Sequence, residues 1–511
     1  MADRSDSKRG LSHRLVKAAL ALALPIATSM TLAPPTQAQI LQTLYSFTGG
    51  AVDQADPQGS VLLLGNSLYA TSSSPSGALV QVDLATGLET TLHTFGASGD
   101  GANPSGALIQ CLGDDICGTT ASGGAYGQGT IFALNSSGAL TLLHSFNGTD
   151  GANPAGGVLL DSHGNFYGVT QYGGKINAAC GSGCGTVFKL NPAGTLTTLH
   201  SFSGEHDGLA PKGSLLLLNG SLYGTTSSSM LASNYGTIFK LALKTGKTTV
   251  LHTFTGGADG AYPYSGVIAD SNGNLYGTAT DGGSGSAGSG DGVVYKLNIA
   301  TGAETVLHTF TGTDGANPKS ALAMNFLGDL FGTTFSAGGD GYGTVFRLDP
   351  AGNFTTFYNF SSVGGSPVAG LVLDSNDNLY GTGSGSPGAE FYYGTLFEIL
   401  PLPDYAISPS PTTETVPQGS QAVFVITADF AESFVGPVSN FTVSNLPPGA
   451  TATFSTSEIT YSSGTAAIFV DTSASTPVGR DQLTIGTSGG GVNMTATVQL
   501  VVTAATGASP P

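Results

Sequence analysis

GGVLLDSHGNFYGVTQYGGKINAACGSGCGTVFKLNPAGTLTTLHSF, residues 156 to 202, contains four short runs rich in β-branched and aromatic residues: GGVLLD (156–161), NFYGVT (165–170), GTVFKL (185–190) and LTTLHSF (196–202). The connections DSHGN and NPAG carry Gly, Asn, Asp and Pro, whose backbones or short side chains suit tight reversals. Four such runs in succession predict one antiparallel sheet.

The closing run recurs along the chain as LYSF (44–47), LHTF (92–95), LHSF (143–146), LHSF (199–202), LHTF (251–254), LHTF (307–310) and FYNF (357–360), at spacings of 48, 51, 56, 52, 56 and 50 residues. A period near fifty belongs to propeller-like arrays, one four-stranded blade per repeat. The first LYSF copy has no complete unit before it, and the last unit ends at GTLFEIL (394–400) with no fourth strand after it. The N-terminal strand is therefore expected to complete the last blade, which removes both exposed sheet edges. The fold expected for residues 40–400 is an all-β, seven-bladed β-propeller.

GTVFKL, LHSF, DGANP and NLYGTT together resemble the Gloeo_Verruco repeat, found in tandem in bacterial exported proteins. The resemblance spans all seven units, the first and seventh being the most degenerate. It implies a tandem-repeat extracellular protein and brings no catalytic residues with it.

Beyond residue 400 the pattern changes. ILPLPDYAISPSP (399–411) supplies a proline-rich linker over 401–411, and 412–505 alternates in the manner of a β-sandwich, as in AVFVITADF and TAAIFVDTS. NLPPGATATFS (445–455) resembles bacterial immunoglobulin-like modules, without the Cys and Trp of antibody domains. Residues 506–511 are expected to be a disordered tail.

At the other end, Arg4, Lys8, Arg9, Arg14 and Lys17 precede the apolar run AALALALPIA, and Thr36-Gln37-Ala38 offers a small-residue cleavage site, so residues 1–38 are expected to be a signal peptide. Pro25 and polar Thr28, Ser29 and Thr31 argue against a membrane anchor there. The remaining chain would hold 10 Lys and Arg against 31 Asp and Glu. That acidity argues against nucleic acid and anionic membranes as partners and favours solubility or cation binding; a monomer, secreted or at the cell surface, is expected. Cys111 with Cys117 and Cys180 with Cys184 form close pairs, read as local disulfides in an oxidising compartment. A four-thiolate zinc site is the alternative, with unusual ligand spacing.

Five repeat histidines, His93, His144, His200, His252 and His308, occupy equivalent places in different units and cannot converge on one ion. Alternation places His144 on the face of Leu142 and Phe146, where it is expected to pack between blades with a backbone hydrogen bond. Asp100, Asp150, Asp207, Asp259 and Asp314 each precede glycine in the next turn; an aspartate there folds onto nearby amides, and calcium binding by the five is the functional alternative. The loops between second and third strands vary most, and Tyr126, Tyr172, Tyr235, Tyr342 and Tyr393 in or beside them could stack on a sugar or peptide. KTGKT (244–248) lacks the first glycine of a phosphate loop, and no HExxH zinc motif occurs.

The expected function is noncatalytic binding of a glycan or an extracellular protein by the face that carries the variable loops, with no certain cofactor beyond possible use of calcium. A glycan-active hydrolase or lyase with acidic residues in a central pocket is the alternative, and a surface spacer a third.

Overall fold

The run GTVFKL alternates two large apolar residues with opposite outlooks, and both find cores. In the strand Thr186–Leu190, Val187 packs with residues of the following repeat, among them Leu222 and Phe239, whereas Phe188 packs with Ile131 and Phe146 of the preceding one. Successive side chains of a strand point to opposite faces, so a strand apolar at every position must be covered twice. The same division recurs for Ile238 and Phe239, Val294 and Tyr295, Val345 and Phe346, and Leu396 and Phe397.

The computed structural model of the protein describes residues 40–505, apart from 51–52, 54, 112, 179, 229–234, 285–287, 362–365, 386–392, 401–404, 431–436, 461–463 and 490–491. The expected signal peptide and the tail at 506–511 lie outside the described residues. Among the described residues every regular element is a strand, and no helix is long and apolar enough to cross a membrane.

Residues 40–400 build antiparallel sheets of four strands in sequence order, one per repeat; in three of them the first strand is broken in two, as at Ala55–Pro57 and Leu62–Leu64. The third repeat has strands at Leu159–Leu160, Phe166–Thr170, Thr186–Leu190 and Leu196–Ser201, the four runs read from its sequence. Ile40–Ser46 supplies the fourth strand of the last sheet, pairing with Thr395–Leu400 from Ile40 opposite Leu400 to Ser46 opposite Thr395. Apolar clusters join each sheet to the next, and one further cluster sets Tyr380 and Leu396 of the last against Val61, Leu68 and Val80 of the first.

The glycine of the recurring Tyr-Gly-Thr is required by that packing. A Cβ on Gly224 would lie 2.7 Å from Phe239 Cζ and 2.8 Å from Leu215 Cδ2, so the third-strand phenylalanine rests on bare backbone of the second strand, as Phe132, Phe188, Phe346 and Phe397 do on Gly118, Gly168, Gly332 and Gly381 and as Tyr295 does on Gly277. Between sheets, threonine hydroxyls donate to the next sheet's first segment: Thr119 to Gly156 O at 3.0 Å, Thr225 to Ser265 O at 2.6 Å, Thr278 to Ser320 O at 3.0 Å and Thr382 to Gly59 O at 3.5 Å.

One expectation of strict alternation fails. Where third and fourth strands pair, Ile131 stands opposite His144 but Phe132 opposite Leu142, so Leu143 is an extra residue. The bulge turns Leu143 into the core and leaves Leu142 37% exposed, so Leu142 does not share the buried face.

After residue 404 two sheets share one core. Tyr405–Ser410, Gln421–Phe430, Thr465–Asp471 and Thr451–Phe454 form one; Thr413–Pro417, Val492–Thr503, Gly479–Gly489, Val438–Ser444 and Glu458–Ile459 form the other. Ala422, Phe424 and Ile426 are buried in it while Val423 and Val425 face out, the period expected of a half-covered strand. Part of the expected linker is thus strand: Tyr405–Ser410 pairs with Gln421–Phe430 at the edge of its sheet, where Pro409 is tolerated because an edge strand needs only half its donors.

Candidate functional site

The turn before each first strand fixes a distinctive backbone. Asp56, Asn103, Asn153, Ala210, Tyr262 and Asn317, each preceding proline, have φ between 54° and 62°. Asn and Asp adopt this left-handed region at modest cost; Ala210 and Tyr262 do so under strain. The backbone N–H of these residues donates to the second-to-third-strand loop of the preceding repeat: Asn103 to Ser76 O, Asn153 to Gln128 O, Ala210 to Cys184 O, Tyr262 to Tyr235 O and Asn317 to Asp291 O, while Asp56 donates to Tyr393 O of the last. Variable loop and turn are thereby held together, repeat after repeat.

Beyond the proline the chain runs into a cavity of about 1050 Å³ to which all the repeats contribute. The residue immediately after the turn proline lines it in every case: Gln58, Ser105, Ala155, Lys212, Tyr264, Lys319 and Val368. The next two positions are Gly, Ser or Ala because neighbouring first segments approach backbone to backbone. A Cβ on Gly59 would lie 2.8 Å from Gly106 O, and one on Gly106 2.8 Å from Gly156 O. Small residues therefore build the wall, and the position after proline is free to vary.

Charge collects on one side of this cavity. Lys212 Nζ lies 4.2 Å from the centroid of the Tyr264 ring and Lys319 Nζ 3.6 Å from that of Phe335. Burial pushes the Lys212 ammonium below the usual lysine range, and the like charge of Lys319 pushes it further; Lys319 is lowered by burial against the pull of Asp281. Asp281 accepts from Asn317 Nδ2 at 3.0 Å, and its carboxyl is raised by burial despite that bond and the Lys319 charge. Asp56, in the first repeat, is raised by burial against a hydrogen bond from Gln58. Tyr264 is raised by burial, then by the charges of Asp281 and of Tyr172.

The tyrosines singled out in the sequence divide. Tyr172 is 43% exposed and is not among the residues that line the cavity. Tyr235 packs edge-on against Tyr262 with centroids 5.6 Å apart. Tyr342 packs into the apolar cluster of Phe331, Val345 and Phe360. Tyr393 covers Gly49, and Tyr126 is 63% exposed.

Histidines and turn aspartates meet one another, not backbone, across the turn that leads from each fourth strand to the next repeat. His93 Nε2 lies 3.0 Å from Asp100 Oδ2, His144 2.9 Å from Asp150, His200 3.0 Å from Asp207 and His308 2.8 Å from Asp314, so the expected backbone partner of the imidazole is a carboxylate. The fourth-repeat pair, His252 and Asp259, stands at 3.4 Å, and His252 Nε2 makes no hydrogen bond. Each ring also packs edge-on against the phenylalanine two residues on, with centroids 4.7–5.0 Å apart. The aspartates additionally accept amides, Asn147 N to Asp150 Oδ1 at 2.9 Å and Thr311 N to Asp314 Oδ1 at 2.9 Å among them. On Ile40–Ser46, the fourth strand of the last sheet, Tyr45 takes the histidine's place and donates to Asp53 Oδ2 at 2.7 Å. Among the described residues no group of three or more His, Cys, Asp or Glu side chains is arranged so that it could hold a metal ion. The cysteines form the disulfides Cys111–Cys117 and Cys180–Cys184, so the four-thiolate alternative does not hold.

Sequence reasoning missed Lys212, Tyr264, Lys319, Asp281 and Asp53. The signal for the first three was present: one variable residue after an otherwise constant turn proline. For Asp53 it was the Asp-x-Ala-x-Pro spacing, which survives where the glycine does not.

Residues 28–233 and 218–407 match the Gloeobacter/Verrucomicrobia repeat in tandem. No curated protein matches the chain. Among solved structures it is similar to a quinonprotein alcohol dehydrogenase-like protein from Bacteroides thetaiotaomicron VPI-5482, at 13% identity over 60% of this chain and 65% of that one, with TM-score 0.37. Domains 4 and 5 of the S-layer protein SbsC match at 18% identity over 31% of this chain and 90% of that one, with TM-score 0.16. A protein of unknown function from Dyadobacter fermentans DSM 18053 matches at 8% identity over 84% and 99%, with TM-score 0.27.

Proposed function

We propose a function for a chain that belongs to the Gloeobacter/Verrucomicrobia repeat family: it is an exported, noncatalytic binding protein whose repeats form a seven-bladed propeller, and its ligand enters the central cavity from the face of the variable loops. The supporting observation is that one structurally equivalent, chemically variable position from every repeat lines a single cavity. A scaffold that fixes its walls with small residues and varies one inward position per unit is organised for recognition. The contacts of the last sheet with the first, Thr382 to Gly59 and the Ser60 hydroxyl from Gly370 N at 3.0 Å, support closure of the ring. The two disulfides suit the oxidising compartment that export implies. Residues 405–505 fit an immunoglobulin-like sandwich that presents or spaces the propeller.

A hydrolase or lyase acting on glycans is the second reading, favoured by Asp56 and Asp281, both lining the cavity with carboxyls raised by burial. A glycan array probed with and without calcium, each hit then assayed for cleavage, separates these. Binding without cleavage is the expected result. Loss of binding when calcium is removed would bring in the turn aspartates as cation ligands, cleavage abolished by Asp281→Asn would establish the enzyme, and silence on glycans and protein partners alike would leave a spacer.

A further inference from the structure

Three consecutive repeats place Lys212, Tyr264 and Lys319 at the same structural position on the cavity wall. The arrangement is costly as it stands. Two ammonium groups, of which Lys319 lowers Lys212 through its charge, line one partly desolvated cavity, where like charges repel more strongly than in water. Among the described residues neither ammonium is in a salt bridge or donates a hydrogen bond to the protein. Aromatic faces receive them instead, Tyr264 for Lys212 and Phe335 for Lys319. A ring face offsets part of the desolvation of a cation but accepts no N–H bond in the way a carboxylate does, so the donors of both ammonium groups remain available.

We propose that Lys212 and Lys319 together form a subsite for an anionic oxygen group, a carboxylate or sulfate carried by an acidic glycan. The inference rests on the binding function proposed above and names its substrate class. Two ammonium groups on walls that flank the Tyr264 repeat match an anion that carries two or three acceptor oxygens. The rest of the sector suits hydroxyl groups: the Asp281 carboxylate accepts, Asn317 holds it in place, and the Ser214, Ser265 and Ser320 segments line the wall beside it. The size of the cavity accommodates several sugar rings, not one inorganic ion. With a net charge of -18 for the whole chain, the surface repels polyanions generally, so an acidic glycan would gain favourable electrostatics only where lysines are concentrated.

The test is isothermal titration of the purified protein with trigalacturonate, its neutral counterpart galactotriose, and sodium sulfate, at matched ionic strength. Lys212→Gln and Lys319→Gln are compared with Lys244→Gln, in the turn between two strands, and Lys247→Gln, at the start of the second of them, neither of which lines the cavity. Trigalacturonate is expected to bind at least about tenfold more tightly than galactotriose, to be displaced by sulfate, and to lose about tenfold or more of its affinity in either cavity variant but not in the control variants. Unchanged melting temperatures of the glutamine variants exclude misfolding as the cause. Equal affinity for the neutral sugar, equal loss in the control variants, or binding of sulfate without trigalacturonate would overturn the proposal. If neither anion binds while a neutral glycan is captured on the array, the anionic subsite is refuted and the binding function stands; if nothing binds, both fall.

Discussion

Replacing Glu304 by glutamine tests the electrostatics of the fifth repeat. Glu304 opens the strand Glu304–Thr309, half-buried, with its Oε1 making no hydrogen bond; burial, and then the Glu304 charge, raise the likewise unbonded hydroxyl of Tyr295. Burial, reinforced by the charge of Asp259, pushes its carboxyl up from 4.5 to about 7. Its folded-state value is raised above the unfolded one, so the folded protein holds the proton more tightly. The associated stability is complete below about pH 4.5 and is lost as pH rises through about 7. At about 1.36 kcal/mol per decade the full displacement would be about 3.4 kcal/mol, and solvent screening of a half-exposed group reduces it to about 1–2 kcal/mol. Urea unfolding followed by tyrosine fluorescence, the natural probe in a chain with no Trp, reads this directly. Glu304→Gln should match the wild type at pH 4.5 and exceed it by about 1–2 kcal/mol at pH 8. His252 and His308, both lowered by burial against their aspartates, titrate in both proteins, so the difference between variants isolates Glu304. A difference that does not change with pH, or that grows toward acid, would refute the reasoning.

Other consequences can be measured on the same protein. His308→Ala removes a 2.8 Å contact to Asp314 and a parallel stack on Phe354 at 3.6 Å, and should cost about 1–3 kcal/mol; His252→Ala, whose aspartate stands at 3.4 Å, should cost less, as thermal unfolding of the two will show. Gly224→Ala forces a methyl against Phe239 and Leu215 and should destabilise by about 1–3 kcal/mol, read as a lower urea midpoint. Deleting residues 40–46 leaves the edge of Thr395–Leu400 unpaired and should yield oligomers on size-exclusion chromatography at concentrations where the intact chain runs as one species.

The elements of the fold were legible because each repeat states its own strands. Alternation within GTVFKL, turn residues at DSHGN, and an opening LYSF without a partner sufficed to place the strands and to pair Ile40–Ser46 with the last repeat. Two local departures were not legible. The bulge at Leu143 reverses the outlook of its neighbour through backbone geometry that no residue type announces. Tyr405–Ser410 reads as a linker because Pro409 within it, and Pro401, Pro403 and Pro411 around it, conceal an edge strand. The site was less legible than the fold for a related reason. Repetition draws attention to constant residues such as His200 and Asp207, which spend their polarity on each other. Lys212, Tyr264 and Lys319 differ from repeat to repeat, and only the convergence of their walls on one cavity reveals them as a set.

The pairing of Ile40 with Leu400 also fixes how the molecule responds to tension. Because the two strands are antiparallel, the residue where the chain enters this ladder and the residue where it leaves for the C-terminal strands stand side by side at one end of it. A pull between the chain's ends would therefore open the ladder from that end, one hydrogen-bonded pair at a time, instead of shearing all its bonds at once. Anchored by one end, the protein keeps this seam unloaded; stretched between two attachments, it yields there first.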